Sequence, residues 1–197
     1  MADDESTRER ILRTATGLFQ RQGYHATGLN QVLADAKAPK GSLYFHFPRG
    51  KEQLAAAAVL AGGAELGDEL CVELRAAAGP VAGLAAMGRI LGTLLTDSGF
   101  RAGCPVATVA LDVAADSEPI RTACGQAYGY WGDLLVGRLG AWGVPVERRE
   151  SLATMVIAAL EGALLLARVR QDLTPLSEVT EWLGDLVVGE CRAPTGL

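Results

Sequence analysis

Lys40, Ser42, Tyr44 and His46 fall within seven residues of one another, in the stretch AKAPKGSLYFHFPRGKEQL that runs from Ala36 to Leu54. A cation, a hydroxyl, a phenol and an imidazole suit phosphate oxygens and the edges of bases. Gly41 between them leaves room for close approach of the backbone. Pro39, with its fixed φ and no N–H, predicts a helix from about Pro39 to Phe47. In that helix Leu43 and Phe47, four apart, share one apolar face, and the polar groups occupy much of the rest. Pro48 ends it, Gly50 supplies a joint, and Lys51-Glu52 opens the next helix.

The preceding segment positions this helix. Thr27 is a good N-cap, and Leu29, Val32, Leu33 and Ala36 follow at i, i+3, i+4 and i+7. A short helix, a turn at Lys37-Ala38 and the Pro39 helix together make a helix-turn-helix. Before them, Ser6 and Glu9 form a capping box, and Ile11, Ala15, Leu18 and Phe19 keep helical spacing. A first helix is therefore expected from about Thr7 to Gln22, stopped by Gly23, with its apolar stripe on the helix-turn-helix. Tyr24 is expected under the turn and His25 in a solvated loop.

Charge supports contact with DNA at one end of the chain only. The net charge of the 197 residues is −5, yet Ser6 to Glu52 carries eight Lys and Arg against three Asp and Glu. Gln53 to Leu197 reverses this, with ten Arg, no Lys and seventeen acids. A basic head on an acidic body is the electrostatic footprint of a protein that meets the phosphate backbone locally. The length and a hydrophobic content of 49% allow a sizeable helical core. No basic segment precedes an apolar one at the N-terminus, and the apolar windows Leu54–Ala64 and Met155–Ala167 are short or interrupted by Glu161, so a cytoplasmic chain without membrane contact is expected. Cys71, Cys104, Cys124 and Cys191 show no metal-ligand spacing and are expected as thiols in the core. With two histidines, both near the DNA-facing stretch, and no Ser/His/Asp set or phosphate-cradling glycine loop, no catalytic residue, cofactor or metal is expected.

Lys51 opens a long helix that reaches about Ala78, with Gly62-Gly63 as either a bend or a close crossing. Pro80 starts another to about Thr96, Cys104-Pro105 a short one to about Ala115, and Ser117 caps one from Glu118 to about Ala141. Met87, Phe100, Cys104, Leu111, Tyr128 and Trp131 either line an apolar ligand pocket or fill the core. The last two helices, about Arg148 to Gln171 and Pro175 to Cys191, carry apolar stripes that pack within the chain or against a second copy.

Residues Ser6 to Leu54 resemble the N-terminal domain of the TetR family of bacterial transcriptional repressors. The resemblance rests on Gly23-Tyr24, Thr27, Gly41, Leu43-Tyr44, Phe47-Pro48 and Lys51. The common form has one residue between the proline and the lysine, whereas this chain has Arg49-Gly50. That extra residue, Pro39, and the run GCPVATVALDVA are similar to the LmrA/YxaF-type branch. The resemblance implies that Thr27 and Lys51 hold phosphates, that Tyr44 and His46 contact backbone or bases, and that Lys40, Gly41 and Ser42 reach base edges. Pro39 stands where many members have a capping serine, so the phosphate or cap contact of that serine is not implied for this chain. It further implies a four-helix dimer interface using Ile157, Leu160, Leu164, Trp182 and Leu186, and a fourth helix whose tilt carries the signal.

The expectation is an all-α chain: a three-helix helix-turn-helix domain at residues 1–50, then a helical ligand-binding and dimerisation domain at 51–197. It would act as a homodimeric repressor on double-stranded operator DNA, released by a small apolar or aromatic effector. A helical interaction module without DNA binding, or a small-molecule-binding enzyme, would be the alternatives.

Overall fold

The computed structural model describes residues 6–192, and among these there are nine helices and no strand. They are α1 (Thr7–Ala26), α2 (Leu29–Asp35), α3 (Ser42–His46), α4 (Gly50–Ala76), α5 (Pro80–Asp97), α6 (Ala107–Val113), α7 (Glu118–Ala141), α8 (Val146–Arg170) and α9 (Thr174–Arg192). The chain divides into two compact units, Met1–Ala64 with Cys104–Tyr128, and Glu65–Gly103 with Gly129–Leu197.

In the first unit, α1 begins at the expected capping box. The Ser6 N–H donates to Glu9 Oε2 at 2.9 Å, and the Glu9 N–H donates to Ser6 Oγ at 3.3 Å. Ile11, Ala15, Leu18 and Phe19 are buried and turn one face of α1 into the core of the unit. Gly23, at φ 78° and ψ 179°, breaks the helix, and three further residues make one more turn. Only glycine adopts that conformation without strain. α2 ends in a Schellman motif: the Lys37 N–H reaches Ala34 O at 3.1 Å and the Ala38 N–H reaches Leu33 O at 2.9 Å, with Lys37 left-handed at φ 50°.

α4 is continuous through Gly62-Gly63, so the pair marks a close crossing rather than a bend. A Cβ on Gly63 would lie 2.7 Å from Ala127 Cβ, and one on Gly62 would lie 3.0 Å from both Pro105 Cβ and Thr16 Cγ2. Any larger residue there would push helices apart.

In the second unit α5 packs along α9, and α8 packs on α9 and α5. By length and apolarity α8 would suffice to cross a membrane, but Leu152, Val156, Leu160, Leu164 and Ala167 are buried within the unit. No disulfide joins the four cysteines. Cys104 and Cys124 are buried as expected, whereas Cys71 and Cys191 are half-buried. Burial pushes the Cys124 thiol above its ordinary pKa.

Candidate nucleic-acid interface

The recognition helix is shorter than its sequence suggests. It spans Ser42–His46 rather than starting at Pro39, because residues 39–42 form a turn in which the Ser42 N–H donates to Pro39 O at 2.9 Å. Leu43 and Phe47 are buried, each 1% exposed, and fix the inner face as expected. Arg8 covers the Phe47 ring, its Cζ 5.4 Å from the centroid.

On the outer side Lys40, Gly41 and Tyr44 are exposed, and Ser42 and His46 are half-buried. A Cβ on Gly41 would meet nothing within 4 Å, so its backbone lies open to a ligand. Phe45 is 80% exposed and stands edge-on to His46, with ring centroids 4.9 Å apart. Phe45 is not among the contact residues expected from the sequence. The signal was present, since a residue two places from Leu43 and Phe47 faces nearly opposite to them on a helix.

Two expected phosphate ligands make contacts within the chain. Thr27 is completely buried and does not cap α2, whose N-cap is Gly28 with no side-chain bond. Its hydroxyl donates to Gly23 O at 2.6 Å, because the break at Gly23 leaves that carbonyl without a helical partner. Lys51 is half-buried, and its Nζ donates to His25 O at 3.4 Å while standing 4.5 Å from the centroid of the Tyr24 ring. Burial lowers its pKa, and the Asp112 carboxylate opposes that shift. Burial raises the Tyr24 phenol, with a smaller push from the charge of Glu52.

Tyr24 stacks on Phe19 at 6.0 Å, with the rings 21° apart. His25 is exposed as expected but lies in the last turn of α1 and not in a loop, and its Nε2 is 3.2 Å from Asp112 O.

The body residues sort less simply. Met87, Cys104 and Trp131 are buried, and Phe100 and Tyr128 are half-buried. Leu111 is 85% exposed on α6, which does not suit the wall of an enclosed pocket. On α8, Leu160 and Leu164 are 4% and 3% exposed, so both serve their own chain's core instead of a partner. Ile157 is half-buried, while Trp182 and Leu186 on α9 are 77% and 40% exposed. A recess of about 660 Å³ lies elsewhere in the second unit, between α5 and α9, and none of the six expected pocket residues lines it.

Residues 11–58 match the family described as bacterial regulatory proteins, tetR family, and residues 80–182 match the transcriptional regulator LmrA/YxaF-like C-terminal domain. The chain belongs to the TetR family. It is 38% identical over 181 residues to the HTH-type transcriptional regulator LmrA of Bacillus subtilis (strain 168), covering 92% of this chain and 96% of that protein. It is 35% identical to the uncharacterised HTH-type regulator YxaF of the same organism, over 95% of this chain and 98% of that one. The crystal structure of a TetR transcriptional regulator from Legionella pneumophila superimposes with a TM-score of 0.79 at 25% identity, over 93% of this chain and 98% of that one. The TetR-family relatives are transcriptional regulators and not enzymes, so the head of this chain is a DNA-binding domain and its action is regulation of transcription.

Proposed function

We propose that the chain is a homodimeric repressor that leaves its operator when a small, largely apolar or aromatic molecule binds. The observation that carries the dimer is an apolar face on α8 and α9 that has no partner among the described residues of its own chain. Met155, Leu165, Leu166 and Val169 on α8, with Trp182 and Leu186 on α9, are between 40% and 77% exposed. Such a patch costs about 25 cal/mol for each Å² left in water, and a second copy covers it by a twofold axis. Ala158 and Gly162, on the same outward side of α8, let the second backbone come close. One head supplies one half-site, and a dimer reaches two half-sites about 34–36 Å apart.

On the duplex, Lys40 and the Gly41 backbone meet phosphates or base edges, Tyr44 and His46 bond the backbone or a base, and Phe45 offers apolar contact to a thymine methyl. Thr27 acts from beneath, by holding the break at Gly23. Lys51 orders the last turn of α1 and adds positive charge near the phosphates.

For the effector, the recess between α5 and α9 has the volume of a small-molecule site. Ala85, Leu173 and Leu176 make an apolar lining, and Thr93, Thr96 and Ser177 add hydroxyls. An effector that shifts operator affinity by roughly 5- to 150-fold must itself be weakened by the same factor when DNA binds, because the two equilibria are linked.

The test begins with a duplex selected from random DNA by the unmodified protein. Sedimentation should show a dimer at micromolar concentration, and Val169→Glu should give folded monomers with little operator affinity. A monomeric unmodified protein would remove the dimer from the proposal. For release, a panel of planar aromatic compounds and fatty acids is titrated against the labelled complex, with Ala85→Trp as the variant that fills the recess. Release unaffected by Ala85→Trp would place the effector elsewhere.

A further inference from the structure

We infer that Asp112, on α6, is a positioning residue for operator binding: its carboxylate holds the final turn of α1, and with it Lys51, in the geometry that the head uses on DNA. The inference rests on the DNA-binding role of the head and goes beyond the residues that touch the duplex.

The break at Gly23 leaves the N–H groups of the turn that follows without helical acceptors, as at the start of any helix. Asp112 supplies the acceptor. Its Oδ2 takes the Tyr24 N–H at 2.8 Å and the His25 N–H at 3.4 Å, and its backbone oxygen lies 3.2 Å from His25 Nε2. Gly23 leaves no room for a side chain, since a Cβ there would overlap Asp112 Oδ2. The carboxylate thus plays the part of an N-cap supplied from a distant element, and its charge is placed at the positive end of that turn.

The same turn anchors Lys51 through His25 O and the Tyr24 ring. A second tie runs beside it, from Ser117 Oγ to Glu52 Oε1 at 2.7 Å. α6 and the start of α7 therefore grip the end of α1 and the start of α4 by directional bonds, all within the first unit.

Simple electrostatics and positioning predict opposite signs for loss of this carboxylate. Asp112 is exposed, and removing a negative charge that lies against a DNA-binding head should tighten binding to the polyanion. A positioning residue should weaken binding when removed. Operator affinity is measured by fluorescence anisotropy on the labelled duplex that the unmodified dimer selects. Amide hydrogen exchange at Tyr24 and His25 is measured on the free protein.

Asp112→Ala should lose about tenfold in affinity and exchange both amides faster. Asp112→Asn, which keeps an acceptor oxygen, should recover most of the affinity. Asp116→Ala, the loss of a neighbouring exposed carboxylate, should bind as tightly as the unmodified chain or more so, with exchange unchanged. Should Asp112→Ala fail to melt cooperatively, Asp112→Asn decides, with a smaller loss of affinity and a partial rise in exchange. Equal or tighter binding by the well-folded Asp112→Ala chain, or unchanged exchange at both amides, would overturn the inference. Absence of binding by the unmodified protein would instead strike at the DNA-binding role, so the two failures are distinct.

Discussion

The two units balance apolar packing and directional bonds differently. Both have an apolar core, but in the first the start of α4, α6 and the ends of α1 and α2 are also tied by several directional bonds between distant residues: Asp112 to Tyr24, Ser117 to Glu52, Lys51 to His25, and Arg10 Nε to Ala36 O at 3.4 Å. In the second, long helices lie close along their length, and glycines set the spacing, as where a Cβ on Gly184 would come 3.1 Å from Val81 Cα. Apolar packing resists deformation but is not directional, whereas a hydrogen bond to a charged group specifies angle as well as distance. A recognition surface built on a helix of five residues needs the second kind.

The largest effect expected from this contrast is on stability, in the second unit. Gly184→Val must push Val81 and its backbone aside, costing about 1–3 kcal/mol and lowering the melting temperature by about 3 to 10 °C. Because no directional tie of the head is touched, operator affinity at a temperature well below melting should be retained. A stable Gly184→Val protein would mean that the packing of α5 on α9 is looser than the geometry shows.

In the head the balance should invert. Tyr44→Ala and Phe45→Ala should each weaken operator binding by about 1–3 kcal/mol, while melting shifts by no more than about 0.5 kcal/mol, as expected for exposed residues. Unchanged affinity in both variants would take the outer side of α3 off the duplex.

Ser117→Ala sharpens the comparison with a smaller effect that has two parts. Ser117 Oγ accepts from the Ile120 N–H at 3.4 Å as the cap of α7 and donates to Glu52, so its loss should cost about 1 kcal/mol of stability. It should also weaken operator binding, though less than Asp112→Ala. A change in melting without any change in affinity would make Ser117 a helix cap and nothing more.

The smallest effect belongs to a surface pair in the second unit, an exposed Arg148 and a half-buried Glu190. Arg148 Nη2 meets Glu190 Oε1 at 2.8 Å, and this hydrogen bond is the main reason that the Glu190 carboxyl is held below its ordinary pKa. A depressed folded pKa means that the contribution is present above the unfolded carboxylate range, near pH 4.3, and is lost as pH falls through the folded value. Glu190→Gln should therefore lower the melting temperature slightly at neutral pH and low salt, with the difference shrinking toward pH 3 and in high salt. A difference that persists at pH 3 would point to packing instead of charge.

Local chemistry was legible in the chain itself, because it depends on residues a few places apart. The capping box at Ser6 and Glu9, the stop at Gly23, the inner face of Leu43 and Phe47, and the cap at Ser117 are settled by spacing and by backbone preference. The basic head on an acidic body, and the motif run from Gly23 to Lys51, were enough to indicate a helix-turn-helix regulator. Tertiary structure alone decided which face of α8 its own chain takes. That helix is apolar around much of its circumference, so Leu160 and Leu164 look no different in sequence from Leu165 and Val169, yet the first two are buried and the others exposed. It also decided that Gly62-Gly63 is a crossing, and that Thr27 serves a broken carbonyl beneath the surface. Asp112 is the clearest case: its partners lie 87 and 88 residues away, and they need it only because Gly23 has left their N–H groups open.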